Sequence, residues 1–278
     1  SRMITRLESE QSVKEYLDIM DHRKTEQLID TLDKVEQNRK ECYIREFSIE
    51  HFHDSKVFET LIPKICKIFR EENEELTGFE NEEILAEYQI YKTPGYVYMK
   101  GNVQIYSAGK QAADISAFPE GIAVAVGSEE DVPDICPDQT IDKVFTIENL
   151  TSFYRFKQEH SLVIYLGGYH NRSRRNLLMQ IYQKLPDAQY YHFGDLDAGG
   201  FYILEHLKRK TGIPFQMFQM DIETLKKYED YAKPLTENDK KRLMQLEKME
   251  LPDEERKLIT YMLQKGIKLE QECISESQ

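Results

Sequence analysis

The apolar positions from residue 143 onward repeat with a period that changes regularly along the chain. Short apolar or alternating runs predict strands, and each is followed by apolar residues at every third or fourth position, which predict helices. The predicted strands cover residues 144–148, 162–166, 190–193 and 215–220, and the helices cover 152–159, 173–185, the stretch after 200 and 223–231. Strands that alternate with helices pair in parallel through right-handed crossovers. The sequence therefore predicts an α/β fold with a mostly parallel, Rossmann-like sheet covered by helices on both faces.

The first half of the chain follows a different pattern. Residues 1–42 carry apolar positions at helical spacing among many charges, which indicates a helical arm or connector. Beyond them the pattern predicts a strand, two helices and a β-hairpin at residues 43–49, 57–72, 81–90 and 96–106. Lys100-Gly101-Asn102 would form the hairpin turn, because glycine tolerates the positive φ that tight turns require. This order is typical of an α+β winged-helix module, which docks on DNA or on protein.

These patterns divide the chain into predicted domains. They are an arm at 1–42, a winged-helix module at 43–140, an α/β domain at 141–235 and C-terminal helices at 236–278 that pack on it. Pro63 lies inside one predicted helix and should kink it or mark its true start.

Acidic residues close two of the predicted strands. Glu148 ends the first strand, while Asp195 and Asp197 follow the third and project to the same side of an extended segment. Ligands bind beyond the carboxyl ends of such strands, and clustered carboxylates repel one another unless a cation lies among them. Hard oxygen ligands without nearby Cys or His indicate Mg²⁺ or Mn²⁺. Each residue also has a structural interpretation: Asp197 as a helix N-cap, Asp195 as a turn residue and Glu148 as part of a polar strand end.

Residues suited to phosphate binding lie beside these carboxylates. Gly199 and Gly200 would let a phosphate approach the N-terminus of the next helix. The second strand ends in two glycines that lead into a basic helix start, comprising Gly167, Gly168, Arg172, Arg174 and Arg175. Arginine and backbone N–H groups beside a carboxylate-bound metal provide what phosphoryl chemistry requires. The alternative for the arginines is a solvated helix terminus.

Composition limits the class of protein. The chain of 278 residues has a formal charge of −13, so DNA contacts should be local or shared with a partner. Its four cysteines show neither zinc spacing nor a disulfide framework, as expected in a reducing cytoplasm. No apolar run approaches the about 18 residues that a membrane helix needs, and no signal-peptide pattern is present. We therefore expect a cytoplasmic protein without membrane contact. The abrupt helical start at Ser1 suggests a fragment of a longer chain.

The carboxylate and glycine motifs resemble those of the Toprim fold, which topoisomerases, primases and several nucleases share. The motifs are TIEN at Glu148, YLGG before Tyr169 and GDLDAGG at Asp195 and Asp197. A closer resemblance, over about residues 43–278, is to the JetD family, the nuclease subunits of Wadjet plasmid-defence systems. Its segments here are FHDSKVFE, VFTIENLTSF, FGDLDAGGFYIL and KLEQE.

The resemblance implies a function and its residues. Glu148, Asp195 and Asp197 would be metal ligands and catalytic acids in a Mg²⁺-dependent or Mn²⁺-dependent hydrolysis of DNA. The preceding module would resemble the CAP-like winged helix of the topoisomerase VI A subunit, with Lys56 of FHDSKVFE as a further candidate DNA contact. Family members similar to JetD act as homodimers and work with an SMC-type complex of ATPase, kleisin and accessory subunits.

Several points stay open at the level of sequence. Glu270 or Glu272 would be an additional metal ligand, although a charged surface turn is the favoured interpretation. A winged-helix and Toprim scaffold that binds DNA without cutting it is the main alternative function. A topoisomerase-like transesterase ranks last, because the Arg-Asp-Ile-Tyr-Tyr context of its attacking tyrosine is absent.

Overall fold

The chain divides into two compact units, Ser1–Pro94 and Gly95–Gln278. A computed structural model describes residues 5–6, 8–13, 16, 20–73, 76, 79–92, 95–107, 109–126, 133–167 and 172–274. The division falls well before the predicted boundary at residue 140, since residues 95–140 lie in the second unit. No helix within the described ranges is both long enough and apolar enough to cross a membrane.

The first unit is built mainly from helices. They are α1 His22–Gln37, α2 Ile44–Phe52, α3 Val57–Glu72 and α4 Asn81–Glu87, and the short strands β1 Cys42–Tyr43 and β2 Ile90–Tyr91 pair in parallel. The predicted helix over 57–72 is confirmed, and it continues through Pro63. The prediction of a strand over 43–49 is wrong, because most of this segment is α2.

Local hydrogen bonds explain why this segment is helical. The Tyr43 backbone N–H donates to the Glu46 carboxylate over 2.8 Å, which satisfies one of the donors at the helix start. The buried residues Ile44, Phe47 and Ser48 then fall on one helical face. The Ser48 hydroxyl also accepts a bond of 3.0 Å from the Phe58 N–H, which ties α2 to α3. Apolar positions in so short a stretch fit both periods.

The second unit contains a six-stranded sheet flanked by helices. The described strands of this unit, which include those of smaller sheets, are β3 Gly95–Lys100, β4 Val103–Ser107, β5 Lys110–Asp114, β6 Ile122–Val126, β7 Asp134–Pro137, β8 Lys143–Ile147, β9 Ser161–Tyr165, β10 Gln189–Phe193, β11 Gln216–Met217, β12 Lys233–Pro234 and β13 Ile267–Lys268. Its helices are α5 Leu150–Arg155, α6 Arg172–Lys184, α7 Ala198–Thr211, α8 Ile222–Lys227, α9 Glu237–Leu246 and α10 Asp253–Lys265.

The order of strands in the large sheet is β11-β10-β8-β9-β3-β6. Strands β8 to β11 pair in parallel, as the alternation of strands and helices predicts, whereas β3 and β6 join antiparallel at the far edge. The mixed α/β class with parallel pairing is therefore confirmed, and the two antiparallel strands add to the sheet that the sequence predicts.

The predicted hairpin between β3 and β4 is wrong. Strand β3 pairs with β9 and β6, while β4 pairs with β5 and β7 in a separate three-stranded sheet. Gly101 between them has φ +137°, and a Cβ there would lie 2.5 Å from the Ser161 carbonyl oxygen. The glycine therefore permits a close passage against the start of β9 and does not close a two-residue turn.

Apolar side chains cover both faces of the parallel strands. Val144 belongs to the core on one face, while Phe145 and Ile147 belong to the core on the other. A strand whose successive residues are buried on opposite faces is typical of a parallel sheet between helices. The second core also contains Leu243 of α9 and Ile259 of α10, so these two helices contribute to the core on that face of the sheet.

Candidate functional site at the strand ends

Glu148 and Asp195 lie at neighbouring strand ends. Strands β8 and β10 pair in parallel with Ile147 opposite Phe193, and the Glu148 backbone N–H donates to the Phe193 carbonyl over 3.1 Å. Glu148 is the first residue after β8, and Asp195 is the second after β10. The parallel pairing thus brings the two acidic segments of the sequence to one edge of the sheet.

A buried histidine fixes the Glu148 carboxylate. His192 Nε2 lies 2.8 Å from Glu148 Oε1, and His192 Nδ1 lies 2.9 Å from the Thr146 hydroxyl. The imidazole is 0% exposed and the Glu148 side chain only 9%. Burial, with a smaller contribution from the Lys208 charge, lowers the pKa of His192 to about 3, so the ring is neutral at physiological pH.

Gly194 leaves the space in which this contact forms. A Cβ at this position would lie 2.1 Å from Glu148 Oε1 and 3.0 Å from His192 Nε2. The Gly194 N–H donates to the Met220 sulfur over 3.3 Å. The first glycine of the GDLDAGG motif is therefore required if Glu148 is to keep this orientation.

Asp195 is held by the backbone of a distant segment. Its Oδ1 accepts a 2.7 Å hydrogen bond from the Gln271 N–H. Burial, together with the charges of Glu148, Asp197 and Glu270, raises the pKa of the Asp195 carboxyl to about 7, while the Gln271 bond acts in the opposite direction. The carboxylates are close enough to repel one another, which is the condition that a bound cation relieves.

Asp197 is the N-cap of α7. Its Oδ1 accepts the Gly200 N–H over 2.9 Å, so the structural interpretation of this residue holds whether or not it has a second role. Gly200 is required for another reason, because a Cβ there would lie 2.2 Å from the Asp195 carbonyl oxygen. At Gly199 a Cβ would meet only the tip of the Asp197 side chain, at 3.0 Å.

Gln271 connects both strand ends and was missed by the sequence analysis. Its side chain is fully buried; Nε2 donates to the Phe193 carbonyl over 3.0 Å, and Oε1 accepts the Asn149 N–H over 2.8 Å. Leu269 forms a bridge with Leu196 alongside. The signal available in the sequence was the KLEQE segment, in which only the glutamates were considered.

The two glutamates of that segment have structural partners. Glu270 is 2.5 Å from the Lys233 ammonium, and Glu272 accepts a 2.5 Å hydrogen bond from the Asn149 side chain. Both contacts fasten the C-terminal segment beside the strand ends. Glu270 still contributes to the negative field at Asp195.

The donor set is suited to a hard divalent cation held by few protein ligands. Across the described ranges, no group of three or more His, Cys, Asp or Glu side chains is arranged to hold a metal ion. Mg²⁺ in proteins often uses one or two carboxylates and takes its remaining ligands from water and phosphate. Glu148 and Asp195 at adjacent strand ends fit that mode of binding, and they do not form a closed protein cage.

Two of the arginines predicted to bind phosphate, Arg174 and Arg175, have different surroundings. Arg174 donates to the carbonyls of Leu166 and, over 3.4 Å, of Tyr96, so its guanidinium ties β9 to β3. Arg175 lies near His206 of α7, and burial together with the Arg175 charge lowers the pKa of His206 to about 3.

The other residues predicted to bind phosphate or DNA lie in separate parts of the chain. Gly167 has φ +66°, which suits glycine at the end of β9. Gly168 and the side chain of Arg172 lie outside the described residues. Lys56 is exposed in the first unit, just before α3, and its backbone N–H donates to Asp54 over 2.7 Å.

The fold and this edge define an α/β protein with a carboxylate-lined candidate site beyond the ends of parallel strands. Residues 130–278 match the family described as Wadjet protein JetD, C-terminal, and the chain belongs to this family. The family assignment made from the motifs is thereby confirmed. The Wadjet protein JetD of Bacillus cereus (strain Q1) is 28% identical over 263 residues, which cover 93% of this chain and 63% of that protein. The chain thus spans less than two thirds of the length of this curated relative.

Proposed function

We propose that the chain carries the catalytic region of a Mg²⁺-dependent DNA endonuclease that hydrolyses phosphodiesters. The observation that carries the proposal is the pair of carboxylates, Glu148 and Asp195, which lie at adjacent strand ends so that the Glu148 charge raises the pKa of Asp195. Such a pair is stabilised by a divalent cation. Mn²⁺ has the same ligand preference and would substitute for Mg²⁺.

Each residue of the site has its own role in the proposed reaction. Glu148, oriented by His192, and Asp195, oriented by the Gln271 N–H, would hold the cation. When bound, the cation lowers the pKa of a coordinated water and stabilises charge on a phosphate oxygen. Asp197 adds negative charge and caps α7, whose first-turn N–H groups are suited to a phosphate oxygen. Of the two arginines predicted to orient the phosphate, Arg174 bonds to backbone carbonyls, so Arg175 would supply the positive charge.

The finer fold assignment belongs to this proposal. Strands β8 to β11 with their helices would form the Toprim domain, and helices α2 to α4 would form the docking part of a winged-helix module. Because the predicted hairpin strands belong to the second unit, the module would lack that hairpin. Lys56, exposed ahead of α3, is its candidate DNA contact.

The partners are proposed from the family. The relative is named a Wadjet protein, and we propose that this chain likewise acts on plasmid DNA as a homodimer beside an SMC-type complex. A net charge of −13 is consistent with that dependence, because a partner would supply the basic path that tracks the DNA.

A plasmid assay tests the endonuclease. We expect supercoiled plasmid to be nicked or linearised with Mg²⁺ or Mn²⁺ and to stay intact with EDTA. Asp195→Ala should abolish cleavage, with a circular dichroism spectrum and a melting temperature close to those of the parent. Cleavage that persists at the parental rate in Asp195→Ala would exclude the proposed site.

A non-catalytic DNA-binding scaffold is the second candidate, and one observation favours it. Asp197 caps a helix and Glu148 bonds to His192, so both have structural roles without a metal. Calorimetric titration with Mn²⁺ separates the two functions. The endonuclease requires binding by the parent that Glu148→Gln weakens, whereas the scaffold requires no difference between the two proteins.

A further inference from the structure

Two polar side chains face each other inside the apolar sheet. Thr146 of β8 and His192 of β10 are register partners, and each is 0% exposed. The residues around them on the same strands are apolar, including Val144 and Tyr190. Burying an imidazole and a hydroxyl costs free energy unless both find hydrogen-bond partners.

With Glu148 ionised, the two contacts of the ring fit one tautomer. An ionised Glu148 carboxylate can only accept, so the proton must sit on His192 Nε2, which donates over 2.8 Å. Nδ1 is then an acceptor, and the Thr146 hydroxyl donates to it over 2.9 Å. The other acceptor near this hydroxyl, the Tyr191 carbonyl, is farther away at 3.2 Å.

We propose that His192, with its tautomer supported by Thr146, is a positioning residue that holds the Glu148 carboxylate in the orientation needed to bind the catalytic cation. This inference rests on the proposed endonuclease function. His192 lies on β10, and its ring contacts the site at the Glu148 carboxylate. The absence of a Cβ at Gly194 keeps the path between Nε2 and Oε1 clear.

This role differs from that of a histidine that merely fills the core. A packing role depends on ring volume and burial, whereas positioning depends on an N–H donor at the ε position. Glutamine keeps a donor near that position, while asparagine places its amide near the δ position and so removes the donor to Glu148 Oε1. His192→Gln and His192→Asn therefore form a matched pair in which both replacements are polar amides.

Three measurements on the whole chain test the proposal. In the metal-free parent, ¹⁵N NMR should show the proton of His192 on Nε2. Metal-free crystal structures should show Glu148 in its parental orientation in His192→Gln and displaced in His192→Asn. Calorimetry with Mn²⁺ should give affinity within about threefold of the parent for His192→Gln and at least about tenfold weaker for His192→Asn, as for other residues that orient metal ligands.

The outcomes separate this inference from the function on which it rests. If the parent takes up no Mn²⁺, the endonuclease proposal fails, and the tautomer and the Glu148 orientation still decide the role of His192. An Nδ1–H tautomer, or an unmoved Glu148 in His192→Asn, would overturn the positioning role. If His192→Asn does not fold, the tautomer in the parent decides alone.

Discussion

The two strand ends of the candidate site hold their carboxylates by different means. At the end of β8, Glu148 depends on a side chain, the neutral imidazole of His192. Beyond β10, Asp195 and Asp197 depend on backbone N–H groups, those of Gln271 and Gly200. A side-chain partner can be altered with little change to the fold, whereas a backbone partner moves only when the chain moves. Changes to the partner of Glu148 should therefore act mainly on function, whereas changes to the backbone surroundings of Asp195 and Asp197 should act mainly on stability.

Gly200→Ala should have the largest effect. A Cβ at this position would lie 2.2 Å from the Asp195 carbonyl oxygen, a backbone atom that cannot rotate away. We expect the free energy of unfolding to fall by about 3 kcal/mol, since overpacking of this kind outweighs the gain in helix propensity of about 1 kcal/mol. Denaturant unfolding measures the change.

Gly199→Ala is the matched control for Gly200→Ala. Its Cβ would meet only the tip of the Asp197 side chain at 3.0 Å, and the substitution gains helix propensity. Its stability should stay within about 1 kcal/mol of the parent. Equal destabilisation by the two alanines would show that the backbone approach at Asp195 is not the cause.

Gln271→Ala should come next. It leaves the Asn149 N–H without its acceptor and removes one of the two donors to the Phe193 carbonyl. An unsatisfied buried group costs about 1–3 kcal/mol, so we expect destabilisation in that range by denaturant unfolding. Glu272→Gln is the control, since an amide oxygen can still accept from the Asn149 side chain. A loss as large in the control would contradict a specific role for Gln271.

Gly194→Ala should separate function from stability. The added Cβ would meet the movable end of Glu148, so rotation of that side chain relieves the contact at a cost to stability of about 1 kcal/mol. Loss of the Glu148 orientation should still weaken Mn²⁺ binding at least about tenfold, measured by calorimetry. Parental affinity in a folded Gly194→Ala protein would argue against Glu148 as a ligand.

The pH dependence of stability tests Asp195 itself. Burial and the neighbouring carboxylates raise its folded pKa from 3.8 to about 7, so the folded chain keeps a proton that the unfolded chain has released. The stability from this group is full below pH 3.8 and is lost as the pH rises through about 7. Without divalent cations, the melting temperature should fall more between pH 5 and pH 8 in the parent than in Asp195→Asn. Equal changes in the two proteins would show that Asp195 is ionised throughout.

The parallel part of the sheet was predictable because its signals are local. Strands buried on both faces read as apolar runs, and the helices between them show their own period, so β8, β9 and β10 follow from short windows of sequence. Residues 95–137 were not predictable in the same way. The apolar runs of β3 and β4 are visible, but their partners lie far along the chain, and nothing in the turn at Gly101 reveals that the strands enter different sheets.

In the candidate site, too, some residues could be predicted from local sequence and others could not. Rules for strand ends were sufficient to select Glu148, Asp195 and Asp197, because parallel strands bring their carboxyl ends to one edge. Those rules carry no information on what supports each side chain. His192 was visible only as one residue of an aromatic strand, and its role follows from the register that places it opposite Thr146. Gln271 lies 76 residues from the aspartate that it contacts.

The sequence by itself determined the α/β class, the succession of parallel strands and helices along the chain, the acidic residues at the strand ends and the family. These depend on periodicity and on short motifs, which a linear chain displays directly. Only the tertiary structure decided the partners of β3 and β4, the anchoring of Arg174 on backbone carbonyls and the contacts of His192 and Gln271. The physical reason is that such contacts join residues distant along the chain, and hydrogen-bond geometry exists only after the strands have been brought into register.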